Sequence, residues 1–112
     1  MDLKAFVDSH VKLLAEGDVN KLVEHDYHDG AVMVLMVTDP PSTVVGKEAL
    51  KGQLGFYLAN IYRGMASMEK LAITDDSICL EATINTASGP SKVWDALYLK
   101  DGKIFRHYSG LR

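Results

Sequence analysis

The chain has 112 residues, room for one domain, since single cores span roughly 100–150 residues. Hydrophobic residues make up 47% and charged ones 24%, the balance of an ordinary globular domain. A net charge of -3, with Lys and Arg scattered, argues against nucleic acid as the main partner. No apolar stretch approaches the ~20 residues of a membrane helix, and Met1-Asp2-Leu3-Lys4 does not open a signal peptide. The single Cys79 excludes an internal disulfide and fits a reducing compartment. The expectation is one domain over residues 1–112, cytoplasmic, with no membrane or nucleic-acid partner.

Asp2 can cap a first helix in which Leu3, Phe6, Val7, His10, Val11 and Leu14 form one apolar stripe. Gly17 ends it, and Asp18 caps a shorter helix carrying Val19, Leu22 and Val23. The polar run from His25 to Gly30 reads as a solvated connection; its four potential metal ligands have no known ligand spacing. Residues 31–37 are a short apolar run, read as a strand buried on both faces, which Asp39-Pro40-Pro41-Ser42 breaks. A third helix follows Gly46, with Leu50, Leu54, Tyr57, Leu58 and Ile61 on one face.

From Met65 the period changes to two. Segments 65–74, 78–87, 91–99 and 103–109 are separated by Asp75-Asp76, Ser88-Gly89-Pro90 and Lys100-Asp101-Gly102, which predicts an antiparallel meander. Helices first and strands later make the chain α+β, with three helices packed on one face of a curved antiparallel sheet. Cys79 alternates with apolar neighbours, without a base in sight, which argues against a nucleophile. Met33, Met36, Met65 and Met68 fit adaptable core or pocket lining, and Gly52-Gln53-Leu54-Gly55 lies inside a helical pattern, not a phosphate loop.

Asp101-Gly102 permits two turns. A two-residue loop pairs Lys100 with Lys103; a turn with a glycine bulge pairs Leu99 with Lys103. The second is preferred, because the first sets Arg106 beside Leu97 and Leu99. It places Asp95, Leu97, Leu99, Phe105, His107 and Ser109 on one face, with Asp95 opposite His107. Trp94, Ala96, Tyr98, Ile104, Arg106 and Tyr108 take the other. A carboxylate and an imidazole on an apolar face are either acid–base machinery or a self-satisfied buried pair. His10 also points inward from the first helix. Three converging ionisable groups are costly unless they line a cavity, so a pocket is expected.

The run Ala15-Glu16-Gly17-Asp18, the helix opened by Gly46-Lys47-Glu48-Ala49-Leu50, and the closing Trp94-Asp95-Ala96-Leu97-Tyr98-Leu99-Lys100-Asp101-Gly102-Lys103-Ile104 resemble the nuclear transport factor 2-like superfamily. The match is to its ketosteroid isomerase and SnoaL-like polyketide cyclase branch, over residues 3–109. The resemblance implies a cone of curved sheet around the helices, a cystatin-like α+β barrel with an apolar ligand cavity. It also places Asp95 where the isomerases keep a protonated aspartic acid facing the developing oxyanion. Tyr57, in Phe56-Tyr57, matches a supporting tyrosine. His10 stands where the principal oxyanion tyrosine stands in the isomerases. Asp39-Pro40 is similar to their base motif, although the base position counted from Gly17 falls near Val34 or Leu35. Val93 replaces the arginine of the epoxide hydrolases, and His107 and Ser109 stand where cyclases carry an aspartate.

The leading expectation is a cofactor-independent isomerase or cyclase moving protons on an apolar carbonyl compound. Asp95 is the acid or oxyanion donor, His107 or Asp39 the base, and His10 and Tyr57 are supporting donors. The alternative is a non-catalytic module that uses the cavity for a ligand or the outer sheet for a protein. A homodimer through Trp94, Tyr98 and Tyr108 is expected, because helices can cover only one face.

Overall fold

The computed structural model describes residues 2–112. Helix α1 (Leu3–Glu16) starts at Asp2, whose Oδ1 accepts from the backbone N–H groups of Lys4 and Ala5. It stops at Gly17, whose left-handed backbone (φ 78°) suits a residue without Cβ. Asp18 caps α2 (Val19–Asp26) by accepting from the N–H of Lys21. α2 passes without a loop into strand β1 (Tyr27–Leu35), and Asp26 and Tyr27 are among the most buried residues of the chain. The solvated connection expected over 25–30 is corrected at Asp26 and Tyr27, while His25, Asp29 and Gly30 are exposed: Asp26 sits two helical turns beyond Val19, on the face that α2 turns to the core.

A short strand β2 (Ser42–Val45), not anticipated after the two prolines, pairs with β1 and leads into α3 (Lys47–Asn60). Strands β3 (Tyr62–Ile73), β4 (Ser77–Thr86), β5 (Gly89–Lys100) and β6 (Lys103–Leu111) form the expected meander. The sheet order is β2-β1-β6-β5-β4-β3. It is mixed rather than wholly antiparallel, because β1 runs parallel to β6, with Met33 beside His107. This lies outside a reading of the meander alone, since β1 joins it from the other half of the chain. Nor is β1 buried on both faces: Ala31 and Met33 are buried, whereas Val32 and Val34 are half-buried.

The helices pack into the concave side. Leu22 and Val23 of α2, Leu50 of α3, Ile78 of β4 and Ile104 of β6 are fully buried together. Removing such side chains from water is worth about 1.5–3 kcal/mol each, which fixes the helices against the sheet. Across the outside of α2 and α3, Lys47 and Lys51 both reach Glu24, and Lys47 also reaches Asp29. Among the described residues no helix is long and apolar enough to cross a membrane.

The last hairpin follows neither expected register in full. Its turn is the two-residue one, with Lys100 opposite Lys103 and positive φ at Asp101 and Gly102. A bulge then sits at Phe105, between the Leu99–Ile104 and Tyr98–Arg106 pairs. The extra residue lets Ile104 and His107, three apart, both face inward. Phe105 stays outside, with the Arg106 guanidinium 4.0 Å above its ring and His28 at its edge. The preferred turn, with Leu99 opposite Lys103, is thus corrected; Ile104 belongs to the core and Phe105 to the outer surface, and Asp95 is not directly opposite His107. His107 lies opposite Leu97, and Asp95 opposite Ser109.

Candidate active site

Between α1, α3 and the concave sheet lies a cavity of about 490 Å³. That is the size of a small-molecule pocket. Phe6, Val11, Leu54, Met65, Met68 and Leu80 are among its apolar walls. Val37, Ile61 and Leu111 line it and are exposed, so the opening lies at their end of the cone. No Lys or Arg lines it among the described residues.

The sheet supplies one polar unit. Asp95 of β5 and His107 of β6 lie diagonally across the hairpin, with His107 Nε2 2.8 Å from Asp95 Oδ1. On its other side, His107 Nδ1 lies 2.8 Å from the hydroxyl of Tyr27, the first residue of β1. A carboxylate only accepts, so Nε2 carries the hydrogen and donates to Asp95, while Nδ1 accepts from the Tyr27 O–H. Burial pushes the Tyr27 phenol well above its ordinary range, and the charges of Asp95 and Asp26 add to that. Tyr27 therefore keeps its hydrogen and locks the His107 tautomer. Both His107 nitrogens are committed, and the free group of this unit is Asp95 Oδ2.

The helices supply a second unit. Asp26, with a side chain only 1% exposed, holds its Oδ2 2.6 Å from His10 Nδ1 and its Oδ1 2.6 Å from His25 Nδ1. Burial alone would raise its carboxyl, but hydrogen bonds from His10 and His25, and the positive charge both rings carry in the acid range where a carboxyl titrates, hold it below the ordinary range. Here the carboxylate is committed at both oxygens. His10 stacks on Phe6, lines the cavity, and has no partner at Nε2 among the described residues.

Tyr57 of α3 completes the set. Its phenol is raised by burial, then by the charge of Asp95 and by Tyr62, so its hydroxyl stays a donor. The cavity thus brings together Asp95, His107, His10 and Tyr57 of the residues singled out by sequence. Asp39 is not among them: it is exposed in the turn between β1 and β2 and is not part of the lining, although Val37 and Thr38 of the same turn are. The charge of a turn next to two prolines is most cheaply left in water, which is where the structure leaves it. Asp26 and Tyr27 were hidden in a polar run. The available signal was Asp26 at i+7 from Val19, on the stripe of Leu22 and Val23.

No protein-family model matches the chain, and no curated protein matches its sequence. Solved structures do. A protein of unknown function with the nuclear transport factor 2-like fold, from Cytophaga hutchinsonii, superposes with a TM-score of 0.78 at 12% identity, covering 100% of this chain and 91% of that one. A candidate polyketide cyclase from Sinorhizobium meliloti gives 0.74 at 16% identity, covering 92% and 91%. A protein with a ketosteroid isomerase-like fold from Catenulispora acidiphila, in complex with trimethylamine, gives 0.73 at 16%, covering 92% and 82%. At such identities the likeness speaks for architecture rather than chemistry. The cone of six strands around three helices, and these superpositions, identify the fold of this chain as that of the nuclear transport factor 2-like proteins.

Proposed function

We propose that the protein is a cofactor-independent enzyme that moves a proton on a small, uncharged, apolar carbonyl compound, in an isomerisation or cyclisation. The observation that carries this reading is the pairing of two unpartnered groups on one apolar cavity, His10 Nε2 and Asp95 Oδ2, each backed by a hydrogen-bonded support. The lack of a lining cation among the described residues favours an uncharged ligand over an anionic one.

His10 is the base. Asp26 holds its Nδ1–H, which leaves the Nε2 lone pair bare and stabilises the imidazolium that forms. The proton it removes lies α to the carbonyl, and the electron pair moves to the carbonyl oxygen. Tyr57 donates to that oxygen, and the Asp95 carboxylate becomes the acid once it takes up a proton on its free Oδ2, with Oδ1 still accepting from His107. His107 orients Asp95 and does not itself reach for the substrate. Donors placed in a dry site stabilise an enolate by about 3 kcal/mol each, which removes the need for a cofactor.

The test is deuterium exchange at the α-carbon of 2-tetralone, a bicyclic apolar ketone, in heavy water. The native chain accelerates exchange over buffer, His10→Gln loses about 10²-fold or more, and Asp95→Asn loses about tenfold. Equal rates for native protein and His10→Gln overturn the assignment. Binding without acceleration leaves the alternative, a ligand-binding module of the same fold. The same reading includes a homodimer through the outer sheet face, where Tyr98 and Tyr108 are exposed beside Trp94. Sedimentation at micromolar concentration checks it, and a species near the 12.3 kDa of one chain refutes it.

A further inference from the structure

The proposed reaction leaves one member of the helical unit unused. His25 stands on α2 with its side chain 63% exposed, yet its Nδ1 is bound to the same buried carboxylate that supports His10. We propose that His25 is the counter-charge of the cavity base: it carries the one proton that neutralises Asp26 while His10 is neutral, and releases it to water when His10 takes a proton up. This rests on the reading of His10 as the acid–base group of the cavity.

Two imidazoles share one buried carboxylate, and the number of protons they hold sets its charge balance. With no added proton, Asp26 is an uncompensated anion at a site 1% exposed, which is costly. With two, the imidazoliums repel across a single carboxylate. One proton makes the set neutral. Water decides where it sits: the His25 side chain is 63% exposed and that of His10 14%, so the better-hydrated ring holds the charge. His10 is then neutral, with Nδ1–H donated to Asp26 and Nε2 bare.

The step balances without a proton crossing the carboxylate. Each Asp26 oxygen already accepts an N–H, so a proton arriving on Oδ2 could not depart from Oδ1 unless the group turned over. Instead, a substrate C–H bond breaks, its electron pair stays with the enolate, and the proton goes to His10 Nε2. The Nε2–H bond of His25 breaks, its pair stays on that nitrogen, and the proton goes to water. One imidazolium faces Asp26 before and after.

The bordering ionisable groups do not replace His25. Tyr27 of β1 keeps its hydrogen, and Asp95, His107 and Tyr57 face His10 from the cavity walls. On the helix surface, Lys21 is bound to Glu16, while Glu24 is bound to Lys47 and Lys51. Neither Lys21 nor Glu24 pairs with Asp26 or His25 among the described residues.

The test is NMR of the labelled full chain without ligand, following the His10 imidazole against pH in native protein, His25→Asn and His25→Leu. An Asn amide nitrogen can occupy the place of Nδ1 and keep the bond to Asp26, but it cannot carry the charge. The expected result is the same for both variants: His10 binds a proton about tenfold more tightly than in native protein, one pH unit higher. An unchanged midpoint in His25→Asn overturns the proposal and reduces His25 to a structural contact, whether or not His25→Leu moves. The 2-tetralone assay separates the two readings. If the His10 midpoint moves but the ketone does not exchange, the shared charge stands and the proposed reaction falls. If His10→Gln abolishes exchange but the midpoint does not move, the reaction stands and the counter-charge falls.

Discussion

The helical and sheet walls of the cavity carry the same two residue types wired in opposite senses. On the helical wall, Asp26 is committed at both oxygens, and the imidazole of His10 is left with a free nitrogen. On the sheet wall, His107 is committed at both nitrogens, and the carboxyl of Asp95 is left with a free oxygen. The difference comes from where the third partner sits. His25 attaches to the carboxylate, Tyr27 to the imidazole, and those two partners flank Asp26 on consecutive positions around the α2–β1 junction. A carboxylate–histidine pair therefore has no fixed role; its second contact decides which end faces the ligand.

The helical wall is most sharply broken at Asp26. Asp26→Ala leaves the largely buried His10 and the exposed His25 without their shared acceptor, and the expected cost is about 3 kcal/mol at neutral pH, read by urea unfolding. The pH dependence has a defined sign. The folded-state carboxyl lies below its ordinary value of 3.8, so its contribution is present above that value and fades as pH falls through the lower folded one. The stability gap between native protein and Asp26→Ala should narrow in acid; a constant gap contradicts the assignment.

Next is the packing behind the sheet unit. Gly110 lies opposite Trp94 in the β5–β6 pair, and an added Cβ would collide with the indole. Gly110→Ala should destabilise by about 2 kcal/mol and shift Trp94 fluorescence. Tyr27→Phe removes only the O–H that His107 Nδ1 accepts and should cost about 1 kcal/mol, measured by thermal unfolding. Asp95→Asn should change stability least, by under about 1 kcal/mol, because the Asp95 side chain is 27% exposed and water covers part of the loss. An Asp95→Asn cost as large as that of Asp26→Ala would mean that the sheet carboxylate is structural and that the contrast between the walls is wrong.

The fold was legible where local rules act alone. Capping by Asp2 and Asp18, the stop at Gly17, the stripe of α1 and the two-residue alternation after Met65 each depend on neighbours in sequence. The parallel pairing of β1 with β6 and the bulge at Phe105 depend on partners far along the chain, among them His28, which meets the Phe105 ring. In the site, His10, Tyr57, Asp95 and His107 stood out as polar groups on apolar stripes. Asp26 and Tyr27 did not, because a run of charged and aromatic residues reads as solvated until the end of the helix is fixed. Asp39 drew attention through a dipeptide resemblance; its turn borders the cavity mouth through Val37 and Thr38, but Asp39 itself is exposed and is not part of the lining.

The opposite wiring of the two walls is most directly tested by the nitrogen shifts of the histidine rings in the ligand-free protein. Ring nitrogens bearing hydrogen and those bearing a lone pair resonate far apart, so each tautomer is read without a substrate. At a pH where both rings are neutral, His10 should carry its hydrogen on Nδ1, towards Asp26, and His107 should carry its own on Nε2, towards Asp95. Two different tautomers are the predicted result. The same tautomer in both rings, or a hydrogen on Nε2 of His10, would contradict the account, because the cavity would then lack the bare nitrogen on which the proposed chemistry depends.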